Sequence, residues 1–346
     1  MSCVRLAIAG AGAIGLRHAA ASRACDATLV AALIDPAPEA AQVAADLGVP
    51  LFASLDQALD ARVADGIILA TPNHLHVQGG LDCIAAGVPV LVEKPLDGDV
   101  VAARRLVETG EAAGVPVLTG HHRRYNPLIE AAHRTIAQGR LGQVVSAHAM
   151  FWLAKPDDYY LPDWRRQAGA GPVFLNLIHD LDLMRHLVGE VRAVQAAQSS
   201  RIRGLEVEDS CVLAFEFENG ALGTANVSDT IIAPWSWELT AAENPAYPAT
   251  GQSCYQIGGT QGSLELPSGR LWHQEGPRSW TRPISSTVAP GRADDPLVVQ
   301  IAHFARVIRG EEAPRVTARE GLRTLELIAA IKAAAESGQR VEPGEG

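Results

Sequence analysis

A chain of 346 residues, 47 % apolar and 20 % charged, has the size and balance of a globular protein with two ordinary domains. Its formal net charge of −10, with no basic cluster, argues against a nucleic-acid partner, and no apolar run approaches the ~18 residues of a membrane span. Five scattered cysteines with no C-x-x-C pair argue against a zinc or disulfide framework and for a reducing cytoplasm.

The opening MSCVRLAIAG enters a strand at once, so no signal peptide is expected. Strands are predicted at VRLAIAG (4–10), TLVAALID (28–35), GIILATP (66–72), PVLVEKP (89–95) and PVLTGHH (116–122). Their nearly continuous Val, Ile, Leu and Ala suit a parallel sheet buried on both faces. Thr71-Pro72 can open one intervening helix and Gly87 close it, and Asp99 can cap the next. Residues 1–122 therefore read as a doubly wound α/β domain.

Within it, AIAGAGAIG places Gly10, Gly12 and Gly15 as G-x-G-x-x-G between a strand and a helix. Such a turn brings the backbone of Gly10, Ala11, Gly12, Ala13 and Ile14 up to a pyrophosphate at a helix N-terminus. The second strand ends at Asp35, about 20 residues on, where a carboxylate holds a ribose 2′-OH and repels a 2′-phosphate. Pro36 follows it rather than Arg or Lys, which selects NAD over NADP. ATPNHLHV and VEKP end the third and fourth strands, where ligands bind in such sheets, adding Thr71, Pro72, Asn73, Glu93 and Lys94 to the cofactor side, with His76 a cofactor-side or structural residue. His74 and His76, two apart, do not face one way on a helix, so no metal site is expected.

From residue 123 to 346 the pattern is that of an α+β domain. A helix at roughly 127–138 precedes the alternating strand QVVSAHAMFW. DSCVLAFEFENGALGTANVSD reads as a hairpin with a type I′ turn at Asn219-Gly220. Strand-like pieces at 192–199, 253–258 and 262–273 complete an open, mostly antiparallel sheet, and residues 229–252 read as a surface loop. GPVFLNLIHDLDLMRHL (171–187) is an apolar helix with Asn176, His179, Asp182 and His186 along one face. Two helices close the chain, the first started by Asp295-Pro296 and the second by a capping box of Thr317 and Glu320.

Gly10–Gly15, Asp35, TPNHLH (71–76), EKP (93–95), RRYNP (123–127), WRRQAGAGP (164–172), HDLD (179–182) and the closing segment 316–338 together resemble the glucose–fructose oxidoreductase/inositol dehydrogenase/MocA family, in that family's order and over nearly the whole chain. The resemblance implies an N-terminal Rossmann domain and a C-terminal α/β domain. It also implies dimers or tetramers through the C-terminal sheet and NAD(P)-dependent redox chemistry on sugars, cyclitols and similar polyols. By position it makes Lys94 the catalytic lysine and His179 the acid/base, and it places Trp164 and Arg165 near the nicotinamide. The chemistry agrees: an ammonium stabilises a developing alkoxide, and an imidazole exchanges a proton near neutral pH. Asp182, one turn on, is placed to orient His179. Where many relatives carry an aspartate four residues before the histidine, this chain has Leu175, which neither accepts a hydrogen bond nor takes a proton.

Substrate contacts are expected from Lys94, Arg123, Tyr125, Trp152, Tyr160, Asn176, His179 and Trp235, since polyol sites combine fixed polar groups with flat apolar ones. The expected activity is NAD-dependent hydride exchange with a secondary alcohol of a sugar, sugar derivative or cyclitol. Within the same fold, a glycosidase using transient oxidation and a non-catalytic nucleotide- and sugar-sensing regulator are the alternatives.

Overall fold

The computed structural model describes residues 3–167, 169–288 and 294–344. It divides into two compact units, Met1–Tyr125 with Asp294–Leu325 and Asn126–Ala293 with Glu326–Gly346.

In the first unit, strands β1 (Val4–Ala9), β2 (Thr28–Ile34), β3 (Leu51–Phe52), β4 (Gly66–Leu69), β5 (Val90–Val92) and β6 (Val117–Thr119) form a parallel sheet in the order β3-β2-β1-β4-β5-β6. Helices α1 (Ala13–Ala24), α2 (Ala40–Leu47), α3 (Leu55–Asp60), α4 (His76–Ala85) and α5 (Val100–Ala113) connect it. The strands are shorter than the apolar runs because each run's C-terminal residues leave the ladder to form the site. Asp99 caps α5 through Val101 N at 2.8 Å, as expected.

The second unit opens with α6 (Pro127–Ala137) and β7 (Val144–Trp152). A five-residue π-turn, Val173–Leu177, leads into α7 (Ile178–Val188), so the apolar helix read from sequence is wound more loosely over its first turn. Then come β8 (Val191–Ser199), β9 (Ser210–Phe217), β10 (Leu222–Ser228), a short helix α8 (Trp237–Thr240), β11 (Tyr255–Gly259), β12 (Gly262–Leu266), β13 (Arg270–His273) and β14 (Ser285–Val288). The eight strands lie in the order β14-β13-β12-β11-β7-β10-β9-β8, antiparallel throughout except for β10 beside β7. On β7, Ala147, Ala149 and Phe151 are buried, and α7 packs against the strand, whereas Ser146, His148, Met150 and Trp152 alternate onto the face left uncovered.

The closing helices are α9 (Pro296–Ile308) and α10 (Ala318–Ser337). Asp295 caps α9 through Leu297 N at 2.9 Å, and Thr317 Oγ1 accepts from Glu320 N. Three sequence expectations need correction. Residues 294–325 belong to the first unit, because Leu297, Ile301, Phe304 and Ala305 of α9 share one core with Val4, Leu6 and Ile8. The β9–β10 turn is not type I′, which needs positive φ at both central residues: Gly220 has φ +86, while Asn219 is not left-handed and its Oδ1 accepts from Ala221 N. The loop 229–252 contains α8, capped by Ser236. Among the described residues, no helix is long and apolar enough to cross a membrane.

Candidate active site

In the first unit, Gly10 has φ +103, and a Cβ there would stand 2.4 Å from Ala70 O; at Gly15 it would stand 2.0 Å from Gly10 O. Larger residues would push the loop off the sheet. Gly12, the N-cap of α1, has nothing within 4 Å of a Cβ position and no side chain bonding the helix amides. The helix end is thus open to an anion, as a dinucleotide pyrophosphate requires. Asp35 Oδ2 accepts from Ala11 N at 2.8 Å and Oδ1 from Ala37 N at 2.9 Å, so the carboxylate expected at the ribose braces the glycine loop. The residues present fit NAD.

The structure gives Glu93 a different task from the cofactor contact expected of it. Its carboxylate turns inward: Oε1 lies 2.7 Å from His18 Nε2 and Oε2 accepts from Lys94 N at 3.1 Å. Both side chains are buried. Burial pushes the Glu93 carboxyl up, but the His18 hydrogen bond and charge, with Lys94 and His122 beyond, outweigh it and hold it at about 2. Gly120 makes this possible, since a Cβ there would stand 2.8 Å from the carboxylate. One buried pair therefore ties the helix behind the glycine loop to the backbone of half-buried Lys94. Sequence reasoning passed over His18; its position one turn after Gly15, on the loop's own helix, was the available signal.

His76 takes the structural of its two expected roles. It is fully buried, with Nδ1 2.9 Å from Pro95 O and Nε2 2.9 Å from Thr71 O, so it joins the ends of β4 and β5. Thr71 and Asn73 are half-buried and Pro72 exposed at the same end of the sheet. Arg123 is buried. Tyr125, expected at the substrate, is completely buried with its hydroxyl 3.0 Å from His303 Nδ1 and the Arg315 guanidinium over its ring. It is a core residue of this unit.

In the second unit, α7 carries His179, Asp180 and Asp182, all buried. Tyr255 OH donates to Asp180 Oδ1. Arg185 lies 3.9 Å from Asp182 Oδ1 and makes a two-pronged pair with Glu190 at 2.8 and 2.9 Å. His186 stacks on His133 at 4.4 Å. The π-turn before α7, a form of helix frequent at functional sites, holds Leu175 and Asn176. Asn176 Oδ1 is a buried acceptor with no hydrogen-bond partner among the described residues, which suits a residue awaiting a substrate hydroxyl. In the loop between β7 and the π-turn, Trp164 is half exposed, and Arg165 donates to Tyr159 O at 2.8 Å and lies over the Tyr159 and Trp164 rings. Tyr160 is buried and donates to Asp229.

Trp152 and Trp235, expected at the substrate, pair with each other. Trp152 donates to Asn226 Oδ1 at 2.9 Å on the uncovered face of the sheet, and Trp235 meets it edge to face at 5.7 Å. Phe151 faces α7, so its neighbour cannot.

Two family profiles match the chain: "Oxidoreductase family, NAD-binding Rossmann fold" over residues 4–121 and "Oxidoreductase family, C-terminal alpha/beta domain" over residues 133–342. The chain belongs to the Gfo/Idh/MocA oxidoreductase family. Similar proteins include 1,5-anhydro-D-fructose reductase of Ensifer adhaerens, 27 % identical and aligned over 93 % of each chain. D-Apiose dehydrogenase of Paraburkholderia graminis is 26 % identical over 97 % of this chain and 88 % of its own. Among solved structures, the WlbA dehydrogenase of Bordetella pertussis, in complex with NADH and UDP-GlcNAcA, is 27 % identical with a TM-score of 0.78 over 99 % of both chains. The NAD-binding Rossmann profile of this Gfo/Idh/MocA member falls within its first unit, and the C-terminal profile takes in most of the second unit together with residues 294–325.

Proposed function

We propose that this protein is an NAD-dependent dehydrogenase acting on a secondary alcohol of a sugar, sugar derivative or cyclitol. The observation that carries the reading is the buried His18–Glu93 pair, which fixes the backbone of Lys94 at the end of β5 beside an open glycine cradle. The names of its relatives, reductases and dehydrogenases of sugar-like compounds, support it.

Gly10 to Ile14, Asp35 and the Thr71–Asn73 turn would hold NAD, which when bound exchanges hydride with the substrate carbon. Lys94 donates to the reacting oxygen and stabilises its negative charge. His179 takes the hydroxyl proton in oxidation and returns it in reduction. Asn176 accepts from a substrate hydroxyl, and Leu175 leaves His179 without the extra carboxylate many relatives have. The uncovered sheet face, with Val212 and Leu222 exposed on it, supports pairing with further copies of the chain. Five free cysteines suit a reducing cytoplasm.

The test is turnover of a panel of aldoses, cyclitols, sugar acids and anhydrosugars followed by NADH absorbance, with NADP in parallel. Lys94→Met is expected to lose about three orders of magnitude in turnover, as for removal of an oxyanion-stabilising donor, while NADH still binds by fluorescence. Near-normal turnover of Lys94→Met would remove Lys94 from the mechanism, and a preference for NADP would overturn the role of Asp35.

A further inference from the structure

At the C-terminal ends of β7 and β10, the second unit contains a cavity of about 510 Å³. Lys155, Arg203, Tyr160 and Asp157 line it on the polar side, and Ile202 and Ile232, both largely exposed, stand at its rim. Lys155 is the anomaly. Its side chain is only 8 % exposed, yet its ammonium has no hydrogen-bond acceptor among the described residues. The nearest carboxylate oxygen, Asp229 Oδ2, is 3.8 Å away, and the Tyr159 ring centroid 4.6 Å.

Asp229 is only a loose ion-pair partner for Lys155, because its closer contacts are with two other donors. Tyr160 OH donates to Oδ2, and Arg203 Nε donates to Oδ1 at 3.0 Å. Arg203 also donates to the carbonyls of Lys155 and Asp229, both at 2.8 Å, so this arginine is part of the wall. Asp157 is fully exposed and lies 3.5 Å from Arg203. Beside the Asp157 carboxylate and the Thr230 hydroxyl, the cavity wall thus offers the N–H groups of a largely buried lysine that no protein acceptor meets within hydrogen-bond distance. An ammonium held this way is costly unless it meets an acceptor, and an anionic acceptor offsets the cost best.

We propose that this cavity binds an oxyanion, carboxylate or phosphate, at the end of a small ligand, with Lys155 as its direct partner and Ile202 and Ile232 against the ligand's apolar body. Burial, opposed by the Asp229 charge, pulls the Lys155 amine down to about 8, which also makes it a reactive nucleophile toward acylating reagents. The inference does not draw on the roles given to Lys94 and His179, and it is tested without NAD.

The experiment is acetic anhydride labelling of the whole protein, with Lys155 acetylation read by mass spectrometry under D-glucuronate, inorganic phosphate or D-glucose at matched ionic strength. Protection by glucuronate or phosphate but not by glucose is expected, and which anion protects identifies the source of the oxyanion. Equal protection by glucose, or none by either anion, overturns the proposal. By calorimetry, Lys155→Met should weaken anion binding about thirtyfold or more, as truncating one partner of a buried charge pair does, and Lys155→Arg should retain most of it. The melting temperature of Lys155→Met should hold or rise, because an unsatisfied charge has gone. Unchanged binding by Lys155→Met, or a fall in its melting temperature with binding intact, would make Lys155 structural.

Discussion

The two units differ in which polar groups they hold and which they leave open near their candidate sites. In the nucleotide-binding unit three groups near the glycine loop are held by protein partners, Asp35 by two backbone amides, Glu93 by His18 and the Lys94 amide, and His76 by two carbonyls, although His18 Nδ1 and Thr71 Oγ1 find no partner among the described residues. In the second unit, valences stay open. Asn176 Oδ1 and the Lys155 ammonium have no hydrogen-bond partner among the described residues. On the proposed reading, the first half presents one unchanging cofactor and the open groups of the second await a ligand. Open buried polar groups cost stability and reward only the molecule that fills them.

The largest effect expected from breaking this contrast falls on the open half. His179→Asn should reduce turnover by about two to four orders of magnitude, the usual worth of a positioned acid/base, with the melting temperature little changed. The acidic limb of its kcat/KM profile should vanish with the imidazole. A retained limb would place the titrating group elsewhere.

In the closed half the comparable change is paid in stability. Glu93→Gln takes the buried carboxylate away from His18 Nε2 and the Lys94 amide, and breaking such a buried pair costs about 3–5 kcal/mol. The sign of the pH dependence follows from the depressed carboxyl. Glu93 titrates at about 2 when folded and near 4.5 in an unfolded chain, so its contribution is complete above 4.5 and is lost as pH falls from there toward 2. Urea unfolding between pH 6 and 3 should show that acid limb in the wild type and a shallower one in Glu93→Gln. Identical slopes would mean that the pair does not hold its charge.

How much of this was legible in the sequence divides along the same line. The glycine loop, Asp35 and the EKP strand end were readable because a dinucleotide requires fixed residues at fixed spacings on a parallel sheet. What failed there was the direction of a side chain: Glu93 lies at the right strand end but turns inward, and local spacing does not report an inward turn permitted by a glycine at 120. In the second unit the helix face with Asn176 and His179 was visible as a period, whereas its π-turn was not, since one looser turn scarcely alters the apolar pattern. Lys155 was invisible because its burial depends on Arg203 and Asp229, 48 and 74 residues further along the chain. The return of residues 294–325 to the first unit escaped for the same reason: an amphipathic helix declares that it packs, not on what.

Tyr125 offers a smaller test of which side of the line a residue belongs to. Tyr125→Phe removes a buried hydroxyl from His303 Nδ1, so a loss of about 1 kcal/mol in stability is expected with KM and kcat unchanged. A rise in KM with no loss of stability would return Tyr125 to the substrate.

The smallest effect is expected at Trp152 and Trp235, and it bears on the strand alternation itself. If Phe151 faces α7 and Trp152 the uncovered side of the sheet, then Trp152→Leu and Trp235→Leu should leave KM and kcat within about twofold, as surface changes away from a site do. The same variants remove the edge-to-face pair and the bond to Asn226, so their consequence should appear in the association state measured by sedimentation. A rise in KM without a change in sedimentation would place these rings at the substrate, and a shift in sedimentation alone would place them where a second copy docks.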